Sequence, residues 1–165
     1  MKRLTSGLGL LLVLVVAALG VRSAVEARRP RGDDFEQLRA LIARGAAAAA
    51  RREMRSLAAM IADDYRDPNG LTAPALRAQI ARAMRQYRRI AVDIPAETLQ
   101  LQVQQDRRSA YTQFEARITL ADASGERTVV GTYTVAWEKR PVRYLLFFPG
   151  EEWKVVSVSG YEPDF

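Results

Sequence analysis

The sequence predicts an α+β domain: three N-terminal helices packed on a strongly bent antiparallel sheet, preceded by an N-terminal hydrophobic segment. Three observations lead there. Apolar residues recur at helical spacing from Phe35 to Tyr87, the period changes to two from Leu99 onward, and turn motifs separate the alternating runs. A chain of 165 residues with 48% apolar content is enough for one ordinary domain and an appendage.

The appendage comes first. Residues 4–21, "LTSGLGLLLVLVVAALGV", carry no charge and follow Lys2 and Arg3. As a helix they would span ~27 Å, close to a hydrocarbon core of ~30 Å. Two readings stay open for residues 1–27: a secretory signal peptide cut after the small-residue motif "VEA", or an uncleaved signal anchor. Either places the domain outside the cytoplasm, periplasmic or secreted, with the membrane as a partner through residues 4–21. Residues 28–33 form a short charged linker, and the folded domain is expected over 34–165.

Locating the charge matters more than its total of +6. Lys2, Arg3, Arg22, Arg28, Arg29 and Arg31 lie before residue 32, against Glu26 alone, which leaves 19 basic and 18 acidic groups in residues 32–165. A basic excess beside a hydrophobic run is a topology signal, so no nucleic-acid partner is expected.

The elements follow in order. Phe35, Leu38, Leu41 and Ile42 set the first helical stripe, with Asp33 and Asp34 placed to cap it and complement its dipole, and the Ala-rich residues 46–50 extend it. Met54, Leu57, Met60 and Ile61 predict a second helix ending at "DDY". Leu76, Ile80, Met84 and Tyr87 predict a third, with Thr72 near its start and Pro74 in its first turn, where a missing N–H matters little. Alternation then takes over: Leu99, Leu101 and Val103; Phe114, Ala116, Ile118 and Leu120; Val129, Tyr133, Val135 and Trp137 around Gly131. "DASGE", 122–126, and "PGEE", 149–152, are expected as hairpin loops.

Between the second and third helices lies "DDYRDPNG", 63–70, with three carboxylates, a Tyr and an Asp-Pro step. Without Cys or His in the chain, thiolate and imidazole chemistry are excluded, and carboxylates, Tyr and Lys carry whatever acid–base work there is. A calcium loop fails on spacing, because Tyr65 and Leu76 would occupy positions that need carboxylates. No metal or cofactor is implied. In the structural reading Asp67 and Asn69 bond nearby backbone, Pro68 fixes φ and Gly70 supplies a permissive backbone, giving a compact turn.

The helix pair leading into "IADDYRDPNG", the third helix directly after it, and the closing "FFPGEEWKVVSV" together resemble the nuclear transport factor 2-like superfamily. This is a cystatin-like cone fold that includes SnoaL-like polyketide cyclases and ketosteroid isomerases. The resemblance covers roughly 34–165 and implies that Asp67 matches the isomerase base. It also implies a Tyr in the first helix, where this chain has Gly45, and a second acid on a late strand, where it has "VRYLLFF" with Tyr144 near the position. Two of three catalytic parts are absent. The resemblance therefore implies a non-enzymatic domain that binds a small apolar ligand or a protein partner; the alternative is an acid–base enzyme using Asp67. Tyr65, Asp67, Tyr133, Trp137 and Phe148 are the candidate cavity residues, with core packing as their structural reading. By analogy with the fold, a homodimer is expected through the sheet face bearing Tyr111, Gln113, Thr132 and Thr134. The arginines of the third helix, Arg77, Arg82, Arg85, Arg88 and Arg89, read as a solvated face or as a surface drawn to anionic membrane.

Overall fold

The computed structural model describes residues 33–144 and 148–160, with backbone alone at 143, 144, 148 and 149. The segment 4–21 read as signal or anchor, most of the linker, and "YEPDF" at 161–165 lie outside the described residues. Among those described, no helix is long and apolar enough to cross a membrane.

Helix α1, Asp34–Ala50, turns Leu38, Ile42, Gly45, Ala48 and Ala49 inward. It stops where Arg52 takes a left-handed φ of 58°. Helix α2 is only Met54–Ala58, shorter than the apolar stripe suggests. Met60 and Ile61 are buried beyond the helix, Met60 in a turn and Ile61 in a β-bridge: Val155 N–H donates to the Met60 carbonyl at 2.8 Å, and Ala62 N–H to Val155 O at 3.0 Å. Tertiary pairing overrides a helical spacing of four residues there. Helix α3, Ala73–Gln86, starts after Thr72 with Pro74 in its first turn and ends just before Tyr87.

The sheet comprises β1 (Arg89–Asp93), β2 (Gln100–Val103), β3 (Ser109–Asp122), β4 (Gly125–Tyr144) and β5 (Phe148–Ser159). The path is β1-β3-β4-β5, all antiparallel, with β2 also on β3. One edge of β3 is thus shared: its far end pairs with β1 and its near end with β2. Between them Pro95 and the 3-10 turn Ala96–Thr98 interrupt the ladder. Thr98 Oγ1 fills the gap by accepting the Glu115 N–H at 3.2 Å. A bulge between Ala136 and Trp137 bends the β4–β5 pair. Along β3, residues alternate from Ala110 to Leu120 between buried and more exposed, so one face meets the helices and the other faces out.

Two turn expectations fare differently. Asp122 pairs with Gly125 around a two-residue reversal, and Asp122 Oδ1 accepts the Ser124 N–H at 2.7 Å. "PGEE", however, lies inside β5, with Pro149 opposite Arg143 and Glu152 opposite Arg140, and the pairing continues to Tyr144 opposite Phe148. Proline is tolerated there because β5 is the last strand of the sheet path. The outer edge of β5 is closed by the chain after α2, through Ile61–Val155 pairing and an Arg66 N–H to Val156 O bond of 3.1 Å.

The buried core runs from Leu38 to Val158 and includes side chains from all three helices and from β1, β3, β4 and β5. Among the described residues these side chains form one hydrophobic core.

Candidate functional site

The strip closing the β5 edge is the segment that the sequence marks for chemistry. Arg66 and Thr72 form an antiparallel bridge, which makes 66–72 a small loop returning on itself. Within it the Asp67 N–H donates to Leu71 O at 3.2 Å and the Gly70 N–H to Asp67 O at 3.0 Å. Asp67 Oδ1 accepts the Leu71 N–H at 2.8 Å. Gly70 has φ +81°, a conformation that disfavours a side chain although space is open around it. Asp67 is thus buried at the base of a turn that its own carboxylate fastens.

The other two carboxylates also have partners. Asp63 Oδ1 takes a hydrogen bond from Arg77 at 2.8 Å, which, with the guanidinium charge, holds its carboxyl below the ordinary value. Asp64 Oδ2 lies 2.6 Å from Arg140 on β4. Arg77 also donates to the Ile61 carbonyl at 2.9 Å, so this arginine ties α3 to the edge strip.

Tyr65 points into the core. Burial, then the negative charge of Asp67, raises its phenol above the ordinary value, against a smaller opposing effect of the Val158 backbone N–H. No described group accepts a hydrogen bond from its hydroxyl. Tyr133 and Trp137 lie in the same buried cluster, at 0% and 1% exposure, where an open pocket wall would leave surface. The Tyr133 ring sits 6.3 Å from that of Phe114, and Trp137 Nε1 donates to Thr112 Oγ1 at 3.0 Å. Phe148 opens β5, and its side chain lies outside the described residues. The structure therefore places Tyr65, Tyr133 and Trp137 in one buried core, with the Asp67 charge near Tyr65. Gly45, where the resemblance implies a Tyr, is on the buried face of α1.

One cluster was missed in the sequence. Asp34 does not cap α1 with its side chain; it is buried, with Lys139 Nζ 2.7 Å from Oδ1 and Arg107 Nε 2.9 Å from Oδ2. Lys139 Nζ also stands 4.9 Å from the centre of the Trp153 ring. Its signal was the alternation of β4: Tyr133, Val135 and Trp137 face inward, so Lys139 does too and needs an acid.

No protein-family model matches the sequence, and no curated protein matches it. Solved structures do match. A protein of unknown function from Mycobacterium tuberculosis is similar with a TM-score of 0.58 at 18% identity, over 76% of this chain and 73% of that one. A nuclear transport factor 2-like protein with a cystatin-like fold from Novosphingobium aromaticivorans is similar with a TM-score of 0.54 at 16% identity, over 76% and 79%. A nuclear transport factor 2-like superfamily protein from Salmonella enterica serovar Typhimurium gives 0.52 at 14%, over 72% and 84%. The chain has the nuclear transport factor 2-like fold, in its cystatin-like α+β form. At these identities the similarity concerns architecture, and one architecture of this kind hosts unrelated activities.

Proposed function

We propose that this chain is a non-enzymatic binding domain of the nuclear transport factor 2-like fold, held outside the cytoplasm by its N-terminal segment and acting through a protein partner. One observation carries the reading: each carboxylate of "DDYRDPNG" has a structural partner, Asp63 with Arg77, Asp64 with Arg140 and Asp67 with the Leu71 amide. A general base needs a carboxylate free to reach a substrate proton. Packing of Tyr65, Tyr133 and Trp137 at 0–2% exposure supports a partner on the outside over a small apolar ligand within. The uncharged run 4–21 supports the location.

A second reading has one observation in its favour. The Tyr65 hydroxyl is buried with no acceptor, beside Asp67. A ligand carbonyl reaching it would have a donor and a carboxylate together, the start of an acid–base site.

Mass spectrometry of the natively purified protein tests the choice. A co-purified polypeptide in stoichiometric amount is the expected result, and a bound small molecule would favour the second reading. A reporter fused after Phe165 should be active only outside the cytoplasm; activity inside would contradict the location.

A further inference from the structure

The near-neutral charge of residues 32–165 conceals a pole. At the C-terminal end of α3, three contacts draw arginines from separate parts of the chain to one place. The Arg52 guanidinium donates to the Met84 carbonyl, although Arg52 itself occupies a left-handed backbone conformation. Arg127, near the start of β4, donates to the Tyr87 hydroxyl and lies 5.5 Å from the centre of that ring. The Arg88 N–H bonds Ala121 O at 2.8 Å, which sets Arg88 and Arg89 against the end of β3. Arg85 adds a fifth exposed charge in the last turn of α3, and Arg82, one turn back on the same face, a sixth.

Acidic groups offset little of this. Glu126 lies 3.6 Å from Arg89, and Asp122, whose carboxylate is engaged by Ser124, feels the charge of Arg127. Among the described residues, Arg82, Arg85 and Arg88 make no ion pair. Cations gathered at one end of α3 favour an anion as their neighbour.

We infer that this arginine pole at the end of α3 docks on a bilayer carrying anionic phospholipid headgroups. Two features favour lipid over nucleic acid. The aromatic ring at the pole, Tyr87, is buried beneath Arg127, so nucleobases would find no platform there to stack on. On the proposed reading of 4–21 as a membrane segment, that run ends 12 residues before Asp33, a tether of at most roughly 40 Å when extended, and α1 separates Asp33 from the pole at Arg52 by about 25 Å, so the bilayer is within reach of the pole.

The test uses residues 32–165, which hold every residue of the described core. Co-sedimentation is measured with vesicles of phosphatidylcholine alone and of an equal mixture with phosphatidylglycerol, at rising salt. Binding is expected only to the anionic vesicles and should weaken as salt rises. Arg85→Glu with Arg88→Glu should weaken it about 25-fold or more, taking roughly fivefold for each arginine lost. Arg39→Glu with Arg44→Glu, the same change of net charge on exposed positions of α1, should weaken it far less. Equal binding to neutral vesicles, no binding to anionic ones, or equal loss in both double variants would overturn the inference. So would tighter binding to duplex DNA at matched phosphate concentration. Should the pole variant melt early, wild-type salt and lipid dependence still decides.

Discussion

Lys139 Nζ lies 2.7 Å from Asp34 Oδ1, joining the first residue of α1 to β4. Both side chains are largely buried, Asp34 at 4% and Lys139 at 17% exposure, and Arg107 takes the other carboxylate oxygen. Burial pushes the Asp34 carboxyl up, but hydrogen bonds from Lys139 and Arg107, with their charges, outweigh it and hold the group below its ordinary value of 3.8.

A depressed folded pKa means stabilisation that is complete above the unfolded value and drains as pH falls through the folded one. Thermal unfolding across the acid range should therefore show wild type losing stability below about pH 4, with Asp34→Asn lacking that part of the slope. At neutral pH Asp34→Ala should cost about 3 kcal/mol, because it leaves Lys139 partly buried without its acid. A loss at or below about 1 kcal/mol, typical of an exposed pair, would contradict this.

The Trp137–Thr112 bond gives a second expectation. Thr112→Val keeps the shape but strands the indole N–H in the core, a loss of about 1–3 kcal/mol. Chemical denaturation measures it directly, and an unchanged midpoint with unchanged slope would show that the indole finds another acceptor.

Regular elements were legible where one period held over many residues, as in α1, α3, β3 and β4. Failures came where long-range pairing decided. Met60 and Ile61 continue a helical spacing yet pair with Val155, far along the chain, and no local signal announces the partner. β1 is short, and its residues follow α3 almost without a break, so the helical stripe absorbed Tyr87. "PGEE" has turn composition, but strand β5 tolerates it at a sheet edge. For the site, the turn chemistry of Asp67 and Gly70 was readable from residue types alone. The Asp34–Lys139–Arg107 cluster was not, because it joins three distant segments, although the inward parity of Lys139 pointed to it.

We propose that the outward sheet face carries assembly. Tyr111 is 48% exposed and Val130 49%, among Gln113, Thr132 and Arg117. A homodimer through this face is expected, by analogy with the fold. Sedimentation of residues 32–165 at tens of micromolar should give a dimer that Tyr111→Asp dissociates. A wild-type monomer at that concentration would contradict the expectation.

The most direct measurement concerns Asp67. As the fastener of the 66–72 turn, its carboxylate accepts one backbone N–H, and an Asn oxygen can accept the same bond. Asp67→Asn should then melt within about 0.5 kcal/mol of wild type, and Asp67→Leu should lose roughly 0.5–2 kcal/mol. The same proteins are incubated with an enolisable, steroid-like ketone in heavy water, and deuterium uptake is followed. The binding-domain reading predicts no uptake above buffer for wild type or either variant. Uptake by wild type that disappears in Asp67→Asn, at unchanged melting temperature, would contradict it and establish Asp67 as a base.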